Sequence, residues 1–444
     1  MNWLLPEESD LSFEGIEQPL RILSGLGGGT QGQVYAAQVG AEQLALKWYL
    51  PACIQRDPQL RNRLRQSIVL GSPNADFLWP LALLEPSAST KLLIRHRQAG
   101  FGYLMRLRPS AYVGAYLHAA GVLEISLQNV LRACFFLADG FHQLHLKGLC
   151  YKDISLGNLF IDPNSGRILI CDNDNVDIDG RGQGTVLGTP GFIAPEVLLG
   201  QVRPGTTSDL FSLAVLIFRL LTRHDPFRGQ MELEIRCLDE PARRRLYGED
   251  PVFIFNPSDP RNRPDPIEHA AALITWPIYP NSLKLLFEQS FVTGLRDRYQ
   301  RALTGQWKLA LARCLDQRQL CSHCGQENFP EHQSSTNKCW SCGTILPKPL
   351  SLQLPRGLVV AANGNELYPH HFDRYASEDL RQPLGRLVAH PHDNGILGLK
   401  NLTEQCWQVR RRNGQVISLE PGMTCNLTAL QQIDCCSGTI TALR

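Results

Sequence analysis

From Gln18 to Tyr49 apolar and β-branched residues alternate with glycines, in RILSGLGGGTQGQVYAAQVGAEQLALKWY, a period-two pattern that predicts antiparallel strands joined by tight turns. Asp57-Pro58 reads as an N-cap with proline at the first helical position, opening a helix through QLRNRLRQSIVL that stops at Gly71-Ser72-Pro73-Asn74. After Ser126 the apolar spacing becomes helical in LQNVLRACFFLADGFHQLHLKG, and more helical segments are expected at 208–223 and 281–315. A small sheet with one helix thus precedes a mainly helical region. Beyond Asp316 the texture changes to CSHCGQENFPEHQSSTNKCWSCG, then to a proline-punctuated linker at 347–355. Short alternating runs with Asn-Gly and Pro-Gly turns over 356–444 predict a small antiparallel β-sandwich.

The length of 444 residues and an apolar content of 43% predict two or three domains. Lysine plus arginine (44) nearly cancels aspartate plus glutamate (42), so no global basic field draws the chain to nucleic acid or membrane. The N-terminus has no basic stretch, and no run approaches the roughly 18 apolar residues of a transmembrane helix. The expectation is a soluble cytoplasmic protein without nucleic-acid or membrane partners.

Gly27-Gly28-Gly29-Thr30-Gln31-Gly32-Gln33-Val34 fits G-x-G-x-x-G-x-V, in which backbone N–H groups approach phosphates because no side chain intervenes. Alone, such a cluster marks a turn. Ala45-Leu46-Lys47 follows on an apolar strand, where an ammonium is costly unless it meets a fixed anion or snorkels out at the strand end. Further on, Asp153 and Asn158 lie in Tyr151-Lys152-Asp153-Ile154-Ser155-Leu156-Gly157-Asn158, and Asp172-Asn173-Asp174 closes a strand. Gly188-Thr189-Pro190-Gly191-Phe192-Ile193-Ala194-Pro195-Glu196 and Ser208-Asp209-Leu210-Phe211-Ser212 come next.

In this order the motifs resemble the eukaryotic-type protein kinase family over residues 18–315. The resemblance implies an α+β bilobal fold, with a β-rich first lobe and an α-rich second, and an enzyme using ATP and Mg²⁺ or Mn²⁺ to phosphorylate Ser/Thr hydroxyls of a protein, the chain itself included. Lys47, Asp153, Asn158 and Asp172 would be the catalytic set, with Asn158 and Asp172 as Mg²⁺ ligands. The nucleotide would lie against Gly27, Gly28, Gly29, Thr30, Gly32, Val34, Ala45, Lys47, Met105, Asn158 and Asp172. Asp209 would hold the catalytic-loop backbone, Glu196 would pair with Arg301, and Thr189 would bond Asp153. Thr185 and Thr189 would be available for phosphorylation, with Lys152 as a phosphate partner.

Several positions depart from the family pattern. Tyr151-Lys152-Asp153 stands for His-Arg-Asp, Ser155 for a lysine, and Asp172-Asn173-Asp174 for Asp-Phe-Gly. No glutamate lies between Glu42 and Glu85 to orient Lys47, which leaves Gln59 or Gln66 as weak substitutes and Asp174 as the added acid expected to share that duty with Asp172. These departures keep open a nucleotide-binding pseudokinase scaffold. A small-molecule kinase would be expected to lack the Thr189–Glu196 segment. The Asp-Asn-Asp-Asn stretch resembles a bacterial, stress-cluster branch of the family, which implies a PP2C-type phosphatase and a von Willebrand-type protein as partners.

Cys321-x-x-Cys324 and Cys339-x-x-Cys342, each followed by glycine, suit a tetrahedral Zn²⁺ site without an open position; a redox dithiol pair is the alternative. The segment 318–346 resembles a zinc ribbon, with His323 and His332 as surface residues. Residues 356–444 faintly resemble a forkhead-associated domain through Gly385-Arg386, without the serine that the family pairs with it. Residues 1–17 are expected as an N-terminal extension.

Overall fold

The computed structural model describes residues 3–29, 31–95, 100–180, 187–330, 337–435 and 437–443, so the expectations on Thr30, Thr185 and His332 lie outside the described residues. Three long strands build the first sheet: β3 (Leu20–Gly28), β4 (Gly32–Val39) and β5 (Glu42–Tyr49). Both faces of β5 are covered. Leu44, Leu46 and Trp48 join one apolar cluster and Ala45 and Tyr49 another, so strand alternation places Lys47 on the face of Ala45 and Tyr49.

Seven antiparallel strands complete this sheet in the order β1-β3-β4-β5-β7-β6-β2, with β6 at Ala82–Pro86 and β7 at Gly102–Arg106. Both edge strands, β1 (Asp10–Leu11) and β2 (Phe13–Glu14), come from the segment expected to extend from the domain. Leu4, Leu5, Leu11 and Phe13 are buried against the sheet, which is why the segment is ordered on it.

Between β5 and β6 the single expected helix is two, α1 (Pro51–Arg56) and α2 (Leu60–Leu70). Asp57 closes α1 instead of capping α2, and its carboxylate is turned to Arg63, accepting from Nη1 at 2.9 Å, while the N-terminus of α2 has no side-chain cap.

The helical region packs around the helix Leu127–Leu146, capped where Ser126 Oγ accepts from Asn129 N, and around the helix Thr206–Thr222, nearly all of it buried. The stretch 281–315 is broken into helices at Asn281–Glu288 and Thr304–Asp316. Between them Arg301 turns inward, 1% exposed, and clamps Glu196 through two 2.8 Å bonds. Short strands carry the loops of interest: β8 (Val113–Gly114), β9 (Leu149–Cys150), β10 (Leu159–Ile161), β11 (Ile168–Ile170) and β12 (Asp177–Ile178).

After the helix Thr304–Asp316, β13 (Gln319–Leu320) and β14 (Glu327–Asn328) pair beside the cysteine pairs. The rest of the chain forms a six-stranded and a four-stranded antiparallel sheet around one core that contains Leu352, Leu387, Trp407 and Ile433. The expected linker is partly strand: Ser351–Leu354 pairs with both Gly357–Val360 and Gly438–Leu443, and Leu352 and Leu354 are buried, while Pro347, Pro349 and Pro355 fall outside it.

These sheets are stitched to the helical region. Tyr368 and Leu380 enter its core, and Arg132 meets Glu366 at 2.8 Å. Arg381 bonds Asp139 at 2.7 Å and Asp76 at 2.5 Å, while the other oxygen of Asp139 takes Lys308 at 2.8 Å. Arg381→Ala leaves Asp76 buried without its cation, whereas Asp139 keeps Lys308. The expected cost is about 3 kcal/mol, read as a lower unfolding temperature by calorimetry, with Arg381→Lys recovering only part because one ammonium cannot span both carboxylates.

Candidate active site

Where the first sheet faces the helical region, a cavity of about 620 Å³ opens. Val34, Ala45, Leu78, Met105 and Phe160 give it apolar walls; Lys47, Asp153 and Asp172 give it charge, and Gly27, Gly28, Gly29 and Gly32 form a lip. A Cβ at Gly32 would fall 2.4 Å from the Trp48 carbonyl oxygen, so β5 itself requires that glycine. At Gly27 and Gly29 a Cβ would meet nothing within 4 Å. Packing within the chain therefore does not explain the missing side chains there, which leave the backbone N–H groups of the lip open toward the cavity.

Lys47 is the most constrained charge in the cavity wall. Its Nζ lies 2.7 Å from Asp174 Oδ2, 3.2 Å from Asp172 Oδ1 and 3.2 Å from Gln31 Oε1. Burial alone would pull the ammonium down; the Asp174 and Asp172 carboxylates outweigh it and hold Lys47 well above the ordinary lysine value. For Asp174, burial pushes the carboxyl up and Lys47 more than reverses it, holding it low. Asp172 is held above the usual carboxylate range, by enclosure between the cavity walls first and the charge of Asp174 after it, against the pull of Lys47. Its backbone is left-handed, φ 53°, which starts the turn Asn173–Asn175 and brings the two acids to the same ammonium.

Gln59 and Gln66 do not substitute for a glutamate. Both are exposed, Gln59 just before α2 and Gln66 on it, and Gln59 Oε1 accepts from Asn62 instead. The inward positions of α2 are Leu60, Arg63, Leu64 and Ser67.

The loop between β9 and β10 presents the other polar groups. Asp153 Oδ1 accepts from Thr189 Oγ1 at 2.6 Å, and Asn158 Nδ2 bonds the Asp153 carbonyl at 2.8 Å and lies 3.4 Å from its Oδ2. Asp209, 1% exposed, fixes the loop backbone by accepting from Tyr151 N at 2.7 Å and Lys152 N at 2.9 Å. Lys152, considered as a partner for a phosphate, is buried at φ 72° with its Nζ 2.7 Å from Asp177 Oδ2. A charge already met inside the domain is not the exposed cation that such a role needs.

Of the residues expected against a nucleotide, all the described ones line this cavity except Asn158, which sits one hydrogen bond from Asp153. Leu78, Phe160 and Gln31 were missed. Leu78 and Phe160 belong to no spaced motif, and nothing in the sequence distinguishes them from core residues, whereas Gln31 stands inside the glycine loop and was legible there.

Cys321, Cys324, Cys339 and Cys342 converge, with all four sulfurs within 4.8 Å of one another. Cys321–Cys342 and Cys324–Cys339 are 3.6 Å apart. A tetrahedral ion with Zn–S bonds near 2.3 Å needs sulfurs roughly 3.8 Å apart, so the set fits. Gly325 and Gly343, both at φ 73°, turn the two knuckles by donating to the Cys321 and Cys339 carbonyls at 2.9 Å. His323 is exposed and outside the cluster. Among the described residues no helix is long and apolar enough to cross a membrane.

A model of the protein kinase domain family matches residues 116–266. Protein kinase C delta type of Mus musculus is 37% identical over 114 residues, 24% of this chain and 16% of its own length. A cGMP-dependent protein kinase of Drosophila melanogaster, isozyme 2 forms cD5/T2, is 28% identical over 218 residues, 47% of this chain and 22% of its own. A probable serine/threonine-protein kinase of Zea mays is 36% identical over 94 residues, 20% and 15% of the two chains. The chain thus spans under a quarter of the length of each of these relatives. These matches make residues 116–266 similar to the protein kinase domain family, and the relatives that share the similarity are protein kinases.

Proposed function

We propose that the chain transfers the γ-phosphoryl group of ATP to serine or threonine hydroxyls of a protein substrate, its own chain included. The observation that carries this reading is the meeting of Lys47, Asp153 and Asp172, with Asn158 behind them, at one glycine-lipped cavity. Lys47 binds and orients the phosphates. Asp153 orients the attacking hydroxyl and takes its proton as the new oxygen–phosphorus bond forms and the bond to the ADP oxygen breaks. Asn158 and Asp172 supply oxygen ligands for Mg²⁺ or Mn²⁺, which neutralises phosphate charge when bound. The Thr189 bond to Asp153 supports a Ser/Thr acceptor. One observation favours a nucleotide-binding scaffold instead: Ser155 leaves the catalytic loop without the cation that would screen the migrating phosphoryl group.

Transfer of labelled γ-phosphate decides between the two. Wild type should label itself or a general acceptor such as myelin basic protein, and Asp153→Ala should lower the rate by about a hundredfold or more with nucleotide affinity kept. Nucleotide binding without transfer in wild type supports the scaffold.

The cysteine cluster is read as a zinc ribbon that holds segment 318–346 together, since so short a stretch has little core of its own. Full-length protein should then carry about one zinc per chain by mass spectrometry, and Cys339→Ser should lose it. A metal-free wild type whose thiols cycle with oxidant supports the redox alternative. The two C-terminal sheets are proposed as a protein-contact module; Arg386, on which the forkhead-associated resemblance rests, is engaged by Glu366 at 2.7 Å, which weighs against a phosphopeptide role. The PP2C-type phosphatase, the von Willebrand-type partner and the bacterial origin rest on the sequence resemblance alone.

A further inference from the structure

Tyr49 follows Lys47 by two positions on β5 and so shares its face of the sheet. Its hydroxyl donates at 2.5 Å to Asp174 Oδ2, the same oxygen that Lys47 Nζ meets at 2.7 Å. Tyr49 is 0% and Asp174 2% exposed, and the Tyr49 ring is wedged beside Phe101 and Tyr103, with centroids 5.1 and 6.1 Å away. The acid is held from the other side as well, because Asn173 Nδ2 donates to the Leu78 and Ile170 carbonyls at 2.9 and 3.1 Å and pins the turn that carries it.

Helix α2 packs against that turn without taking part in the pair. Its sequence, LRNRLRQSIVL, holds no acid, and the one charge on its buried side, Arg63, is held by Asp57. The anionic anchor of Lys47 therefore comes from one turn, the one that begins with Asp172, backed by Tyr49 on the lysine's own strand, while Gln31 of the glycine loop adds a neutral contact at 3.2 Å.

We propose that Tyr49 and Asp174 are positioning residues for Lys47, and that they place it in step with Asp172 and independently of helix α2. A shift of α2 then leaves the phosphate-binding lysine in place, whereas any change in the turn 172–175 moves lysine and metal ligand together. The inference rests on the kinase reading and concerns how its site is controlled.

The test measures kcat, KM for ATP, the Kd of a fluorescent ATP analogue and the unfolding temperature. Tyr49→Phe and Asp174→Asn, which keep shape, should each weaken nucleotide affinity and kcat/KM, Asp174→Asn by about tenfold or more. Combined with Lys47→Met, neither should add a further loss, because both act through that lysine. Arg63→Met, which loosens α2 from Asp57, should stay within about twofold of wild type. The inference is overturned if either Tyr49→Phe or Asp174→Asn behaves as wild type, if its loss multiplies with that of Lys47→Met, or if Arg63→Met is as damaging as Asp174→Asn. Wild type and variants that transfer phosphate with equal kcat/KM sink only the inference. Wild type that binds nucleotide without transfer leaves the affinity measurements to decide it, and wild type that does neither removes the kinase reading with it.

Discussion

A lysine ammonium buried inside an apolar sheet is expensive to desolvate, and it is retained only where fixed anions surround it. Lys47 meets that condition through Asp174 and Asp172, which reach it from a turn more than a hundred residues later in the chain. The contact joins the first sheet to the helical region across the cavity. It also sets the cavity's electrostatic character: one buried cation between two acids, the outer of which, Asp172, is 41% exposed toward the open space. The inner acid, Asp174, is buried with the lysine, so the two acids meet the same ammonium from different depths of the cavity wall.

The helical region serves this contact by holding the loops still. Asp209 anchors the backbone before Asp153, the Lys152–Asp177 pair ties β9 to β12 beneath it, and the Arg301–Glu196 clamp closes the segment that delivers Thr189. Each is a charged group buried and fully met, so each is costly to break by half. None touches the cavity's open space. Their common effect is that Asp153 and Asn158 approach each other within a loop of little regular structure, where entropy would otherwise spread them.

Much of this was legible because the chemistry demands fixed spacings. Asp153 to Asn158, the glycine loop and the cysteine knuckles are each local, and local spacing survives in a sequence. Asp174 was legible for a different reason, as the acid left over once α2 was seen to carry none. What the sequence did not disclose are contacts whose partners lie far apart and whose residue types are ordinary. Tyr49 is an apolar-looking strand residue until its hydroxyl is seen on Asp174. Asp57-Pro58 looked like a helix start because Asp and Pro favour one, but Arg63 captured the carboxylate. The linker hid a strand since its three prolines dominated the composition, although Leu350, Leu352 and Leu354 alternate around them.

The least legible feature is that the C-terminal sheets are no separate attachment. Arg381 grips Asp76, whose carbonyl in turn accepts from Ile170 N at 2.7 Å, and Ile170 ends the strand that leads directly to Asp172. Arg106, in the cavity wall, donates to the Phe77 carbonyl at 3.0 Å within the same stretch. The segment 75–78 is thus shared by three bodies: the first sheet, the strand that leads to Asp172, and the C-terminal sheets. A salt bridge at this position contributes stability to a junction whose backbone bonds already fix the register of β11 against Phe77. Its geometric consequence is larger than its energy, because the wall of the cavity and the base of Asp172 are built on a segment that the C-terminal sheets hold from behind.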